Sequence, residues 1–197
     1  KSLMFVDFSK SGASIYEIKD TLKVNHPDIS PDGKYVAFST GLEGVSGSSQ
    51  VYVRRLDSSG SNLIRLNVDN AAIPRFRILP SRDTVLVYVS DAGNNKDESE
   101  WRQKSTWQVN FKNGKFGTPW KIFEGSYHGG VSNDGSLAVT GARLLRARSN
   151  RVDTVWYNGE QACNVSISKD KKKQTLFLDF ASKTGKEFAG KSYAVHE

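Results

Sequence analysis

Apolar and polar positions alternate along this chain in short bursts rather than in a helical stripe. Runs of β-branched and aromatic residues recur at Leu3 to Phe8, Ile15 to Lys19, Tyr35 to Phe38, Val51 to Leu56, Leu63 to Leu66, Val85 to Val89, Trp107 to Phe111, Leu137 to Thr140, Thr154 to Tyr157 and Leu176 to Phe180. Each is the length of one strand. Between them stand Pro31-Asp32-Gly33, Ser58-Ser59-Gly60, Asn113-Gly114, Asn133-Asp134-Gly135 and Asn158-Gly159, whose Gly and Asn residues tolerate the positive φ of tight turns. No window keeps a 3.6-residue apolar period over several turns, so the pattern predicts an all-β chain.

The strands also repeat at a longer spacing. Ile29-Ser30-Pro31-Asp32-Gly33-Lys34-Tyr35-Val36-Ala37-Phe38 returns as Val131-Ser132-Asn133-Asp134-Gly135-Ser136-Leu137-Ala138-Val139-Thr140, and more weakly at Ile78 to Val87 and Ile167 to Leu178. Ser30 to Ser168 is 138 residues in three steps, a mean of 46. Independently, Val6-Asp7-Phe8 with Lys10-Ser11-Gly12 is echoed by Leu178-Asp179-Phe180 with Lys183-Thr184-Gly185, and Asp7 to Asp179 is 172 residues, four steps of 43. Such a period, with four strands per unit, predicts a β-propeller of about five four-stranded antiparallel blades. The chain parses as one domain over 1–197, with blades 25–68, 69–125 and 126–159 between partial ones at 1–24 and 160–197. The short step into the last unit is expected to cost blade 126–159 its outermost strand. About four and a half blades result, a small propeller or an excerpt of a larger one.

Composition narrows the class without changing it. Hydrophobic residues make up 37% of the 197, an ordinary globular proportion. No stretch approaches the roughly 18 consecutive apolar residues of a membrane-spanning helix, so no membrane insertion is expected. The chain begins with Lys1 and shows no targeting segment, as a mature chain or a piece of a longer one would. Cys163 is the one cysteine, which excludes an intramolecular disulfide and a Cys/His zinc site. The net charge of +7 favours anionic partners only mildly, because it is divided between separate loops. With no basic helix or aromatic-basic motif, nucleic acid is not an expected partner.

One blade carries a resemblance. Asn25-His26-Pro27-Asp28-Ile29-Ser30-Pro31-Asp32-Gly33-Lys34-Tyr35-Val36-Ala37-Phe38, followed by Gln50 to Asp57 and Leu63-Ile64-Arg65-Leu66, resembles a repeat of the WD40-like, TolB-type β-propeller family. Trp156 to Asn164 with Leu178-Asp179-Phe180 is similar to propeller segments in large lipoproteins of fibre-degrading bacteria. Both resemblances imply an exported bacterial module, periplasmic or at the cell surface, that binds partners or accompanies a catalytic domain.

In a propeller, ligands meet the inner strands and the loops that enter them. His26, Asp28, Arg75, Arg77, Tyr127, His128 and Asn164 hold those positions, with two of the three histidines at equivalent points of different blades. The ligand-binding candidates among them are His26, Asp28, Arg75, His128 and Asn164; the competing reading is hydrogen bonding between blades. Asp32 and Asp134 are expected to cap their own turns. Tyr16, Tyr52, Trp107, Trp156 and Tyr193 recur in the third strand of their units and read as packing. Trp101 breaks that phase within the polar insertion Asp91 to Ser105, which makes it the preferred single contact residue, against a Trp folded over the sheet edge. The arginines of Gly141 to Val152 suit anions, or a solvated loop.

Enzyme motifs are lacking: no Gly-x-Ser-x-Gly, no phosphate loop, no His-Glu-x-x-His. A five-bladed glycosidase would need paired inward carboxylates, and only Asp28 stands near such a place. The expected function is therefore noncatalytic recognition of a protein or polysaccharide, with no cofactor and no metal. A glycan-active enzyme, an accessory domain of one, and a structural spacer are the alternatives. Open blade edges further predict that the chain either forms a homodimer or depends on flanking residues.

Overall fold

The computed structural model describes residues 2–9, 11–18, 22–41, 48–59, 61–91, 97–141, 145–156, 165–170, 172 and 175–176. These residues build a succession of antiparallel sheets, each made from consecutive strands. A hairpin, β1 (Leu3–Asp7) and β2 (Ser14–Ile18), comes first. The second sheet runs β3 (Asn25–Ile29), β4 (Tyr35–Ser39), β5 (Val51–Arg55) and β6 (Ile64–Arg65) in sequence order. In the third, β7 (Ala72–Ile78) pairs with β8 (Thr84–Val89) and β8 with β9 (Ser105–Lys112), whose far edge is shared by β10 (Lys115–Phe116) and β11 (Trp120–Glu124). The fourth runs β12 (Gly130–Val131), β13 (Leu137–Thr140), β14 (Arg146–Ser149) and β15 (Val152–Val155). A last hairpin pairs β16 (Ser166–Ile167) with β17 (Thr175–Leu176).

The second strand of each complete sheet has an apolar run because it is buried on both faces. Along β4, Val36 and Phe38 pack with Leu3 and Ile18 of the first hairpin, while Ala37 between them packs with Phe76 and Leu86 of the third sheet. Along β8, Leu86 and Tyr88 turn to that same cluster and Val87 turns to Tyr127, Val131 and Ala138 of the fourth sheet. Along β13, Ala138 faces back and Val139 packs with Val165 of the last hairpin. Each sheet thus stacks on its neighbours in the chain, with a separate apolar cluster in every gap. Each fully buried Val, Leu or Phe contributes roughly 1.5–3 kcal/mol.

The turns explain the sequence repeat. Ser30 Oγ donates to Asp32 Oδ1 at 2.6 Å and accepts from the Tyr35 N–H at 2.9 Å, and Asp32 accepts from the Lys34 N–H. Ser132, Asp134, Ser136 and Leu137 reproduce the same bonds. Ser168 and Asp170 keep the hydroxyl-to-carboxylate bond at 2.9 Å without the glycine. In the turn between β7 and β8, Arg82 stands at φ 71, the conformation that Gly33 holds at φ 69.

Three expectations are corrected. The insertion after β8 contains a helix, α1 (Glu98–Gln103), started by Asp97, whose carboxylate accepts the Ser99 and Glu100 amides. The sheet expected to lack its outermost strand has four, and Trp156 follows the fourth rather than lying in the third. The arginine-rich segment is a solvated loop only in part: Arg146 and Arg148 lie on β14, with Arg146 buried, Arg151 is exposed in the turn after it, and Arg143 lies outside the described residues.

Candidate functional site

The first strands of four successive sheets, β3, β7, β12 and β16, converge on a cavity of about 240 Å³ lined by Asp28, Arg75, Arg77, Gly130, Ser166 and Lys169, among others. Two of these strands are kinked on the way in. The register slips between Asn25 and Asp28 on β3 and between Ala72 and Arg75 on β7. At each bulge a residue of positive φ precedes a proline, His26 (φ 51) before Pro27 and Ile73 (φ 48) before Pro74. A β-branched residue seldom adopts that conformation, and proline has no N–H for the ladder. The bulges therefore strain the backbone and re-aim the side chains that follow them, Asp28 and Arg75.

Asp28 bridges three parts of the chain. Its carboxylate accepts the Phe76 N–H of β7 at 2.6 Å and the Lys169 ammonium of the loop after β16 at 2.9 Å and 3.1 Å. Asn133 makes a second bridge, accepting the Ile78 N–H on its Oδ1 and donating from Nδ2 to the Lys169 carbonyl at 2.6 Å. The second sheet, the third, the fourth and the last hairpin are thus joined around the cavity.

Arg75 and Arg77 share one face of β7 because they are two residues apart, while Phe76 between them enters the apolar cluster behind. Arg77 is only 7% exposed. Its Nη2 donates to the Asn133 carbonyl at 3.4 Å and its Nε is buried without a partner. Burial pulls its pKa down to about 10, opposed by the charge of Asp134. The Nε of Arg75 is likewise buried and unpartnered, and Arg75 takes part in no ion pair among the described residues.

His128 lies in the turn leading to β12, which is pinned when Thr106 Oγ1 accepts the Tyr127 N–H at 2.9 Å. Burial, then the charges of Arg75 and His26, push its pKa down to about 3, so the imidazole is neutral near pH 7. His26 is half-buried, with Nδ1 at 3.4 Å from Ser39 Oγ. The structure therefore brings His26, Asp28, Arg75 and His128 into one neighbourhood. Asn164 lies outside the described residues. Arg77 and Lys169 complete the cleft. Arg77 was a visible candidate on a strand-entry position, whereas nothing local marks Lys169, whose role depends on a partner 141 residues away.

Trp101 lies away from this cleft and is buried rather than standing out as an exposed platform. It is 1% exposed, edge-on to Tyr127 with ring centroids 5.3 Å apart, and Arg146 lies over its face at 4.6 Å. Gly125 (φ 84) leaves room for the ring, since a Cβ there would collide with it. A cavity of about 350 Å³ beside it is bounded by Phe123, Tyr127, Arg148 and Asp153. A larger one, about 420 Å³, lies between the turns at Asp32, Asp83 and Asn113. Asp32 and Asp83 there are occupied by their own turn bonds to Ser30 and Ser81.

Among the described residues no group of His, Cys, Asp and Glu is arranged to hold a metal, and no helix is long and apolar enough to cross a membrane. No protein-family model matches the chain, and no curated protein matches it. Among solved structures, TolB from Acinetobacter baumannii is similar, with a TM-score of 0.46 and 19% identity over 85% of this chain. The matched part covers 43% of that TolB chain, less than half its length.

Proposed function

We propose that the chain is a noncatalytic binding module of propeller type, part of an exported bacterial protein, which receives a segment of a protein or glycan partner in the cleft between β3, β7, β12 and β16. The observation that carries this reading is the convergence of strands from separate sheets, two of them kinked, on one cavity of mixed polar and apolar lining. The stacking of each sheet on the next in chain order supports the propeller, and the sequence repeat supports the exported setting. Binding is favoured over turnover because Asp28, the one carboxylate on the cavity wall among the described residues, is held by Lys169 and the Phe76 amide, with no second described carboxylate beside it to share acid–base work.

Titration of the isotope-labelled protein with a panel of extended peptides and plant and bacterial oligosaccharides tests this. A ligand should shift amide resonances of Arg75, Gly129, Gly130 and Ser166. Shifts confined to the surroundings of Trp101, or to the turns at Asp32, Asp83 and Asn113, would place binding elsewhere and sink the proposal.

The reading extends to self-association through the first hairpin. Met4, Val6, Phe8 and Ile15 are exposed on it, 46–78% each, and β1 and β2 pair only with one another among the described residues. An open edge with an apolar face is a template for pairing with a second copy.

A further inference from the structure

We propose that the group received by the cleft is a carboxylate, held by Arg75 and Arg77; this rests on the reading of the cleft as the binding site. Arg77 is a charged side chain more than nine-tenths buried, with its Nε unpartnered and a single long bond from its Nη2. Arg75, on the same face of the same strand, also buries an unpartnered Nε. A buried guanidinium donor left unsatisfied is costly, and a planar two-oxygen acceptor satisfies such donors in pairs. Both arginines line the one cavity, so a single ligand can meet both.

The charges select among anions. Lys169 is neutralised by Asp28 at 2.9 Å, and Arg77 feels Asp134. His128 is neutral. Among the described residues, what remains uncompensated is about one positive charge, centred on Arg75, which fits a monoanionic carboxylate better than a phosphate dianion. A peptide's chain end or acidic side chain and the uronic acid of a polysaccharide both present this group.

The test follows the arginine Nε–Hε resonances of the whole chain at constant ionic strength. Four probes are titrated: N-acetyl-trialanine, its C-terminal amide, galacturonate and inorganic phosphate. The proposal expects the Arg75 and Arg77 signals to shift saturably with the acid peptide or galacturonate, and whichever binds tighter names the source. The amide should leave them unmoved and phosphate should bind more weakly. Arg75→Gln should weaken acid binding about tenfold or more, Arg75→Lys should recover part of it, and Arg148→Gln should change nothing. The acid–amide comparison on the unaltered protein needs no variant to fold. Equal shifts with the amide would overturn the carboxylate while leaving the cleft as a binding site. Tighter binding of phosphate, or silence with both acids up to about 50 mM, far above a millimolar constant, would also overturn it. Acid-induced shifts around Trp101 alone would remove the cleft reading itself.

Discussion

Arg146 and Arg75 are both arginines on inner or central strands with aromatic and acidic residues nearby, yet the molecule uses them in opposite ways. Arg146 is 3% exposed and fully engaged: its Nη1 donates to Asp153 at 2.8 Å, its plane covers Trp101, and Glu98 of α1 lies at 3.9 Å from Nη2. Asp153 in turn accepts from the Tyr127 hydroxyl at 2.9 Å. Within this cluster the unpartnered atom is Trp101 Nε1. Around Arg75 the converse holds: its Nε is buried without a partner, and its charge acts on His128. A buried cation with a complete set of partners joins two sheets; the incomplete set at Arg75 is what the proposed carboxylate would complete. Position in the sequence did not separate the two, but partner inventory does.

The sharpest way to break the comparison is Trp101→Ala. If Trp101 is mortar between the third and fourth sheets, its removal should cost about 3–5 kcal/mol, read by chemical denaturation. The response of Arg75 to carboxylate should survive in whatever fraction remains folded. A stable variant with lost ligand response would reverse the assignment of the two regions.

Next in size is Asp153→Ala, which strands the Arg146 charge in a buried place and removes the acceptor of the Tyr127 hydroxyl. A loss of about 3 kcal/mol is expected, because breaking a buried pair leaves an uncompensated charge. Replacing both partners, as Arg146→Met with Asp153→Leu, should recover a good part of it. If the double variant is no more stable than the single one, the pair is not what holds this gap together.

The strands and their repeat were legible because each rests on local chemistry. Ser30-Pro31-Asp32-Gly33 and Ser132-Asn133-Asp134-Gly135 encode the same turn bonds, and the apolar runs of β4 and β8 encode burial on two faces. Helix α1 had a local signal too, Asp97 three residues before Glu100, but six residues are too few to show a helical period. The placement of Trp101 and Arg146 was not legible, since it depends on the gap between two sheets and on the space above Gly125. The cleft was half legible: strand-entry positions named Asp28, Arg75 and Arg77 on its wall and His26 and His128 beside it, while Lys169 enters through a fold-wide contact that no spacing reveals.

His128, buried beside the cleft, makes its own mark on stability. Its pKa is lowered in the folded protein to about 3, by burial and then by the charges of Arg75 and His26, from an unfolded value near 6.5. The stabilisation of a neutral imidazole is therefore fully present above pH 6.5 and is lost as pH falls toward 3, because the unfolded chain takes up the proton first. Between pH 7 and pH 5 this one group should remove about 2 kcal/mol of stability. His128→Gln should flatten that slope in denaturation curves taken at the two pH values. An unchanged slope would mean that His128 charges without unfolding and that its own surroundings are wetter than its burial suggests.

The smallest expected effect lies farthest from both arginines, on the first hairpin. Val6 and Ile15 are directly opposed across β1 and β2 and are 46% and 67% exposed, so they contribute little to the interior on the other face, where Phe5 and Tyr16 stack at 5.0 Å. Changing both to Thr keeps β-branching and strand propensity, and stability should move by less than about 0.5 kcal/mol. Association is where the change should register. If a second copy covers this face, the unaltered protein should sediment faster with rising concentration and the Val6→Thr, Ile15→Thr variant should do so less. A protein that sediments as a monomer across the whole range would remove the hairpin as a self-association surface. The carboxylate cleft would be untouched by that result, because no residue of the hairpin lines it.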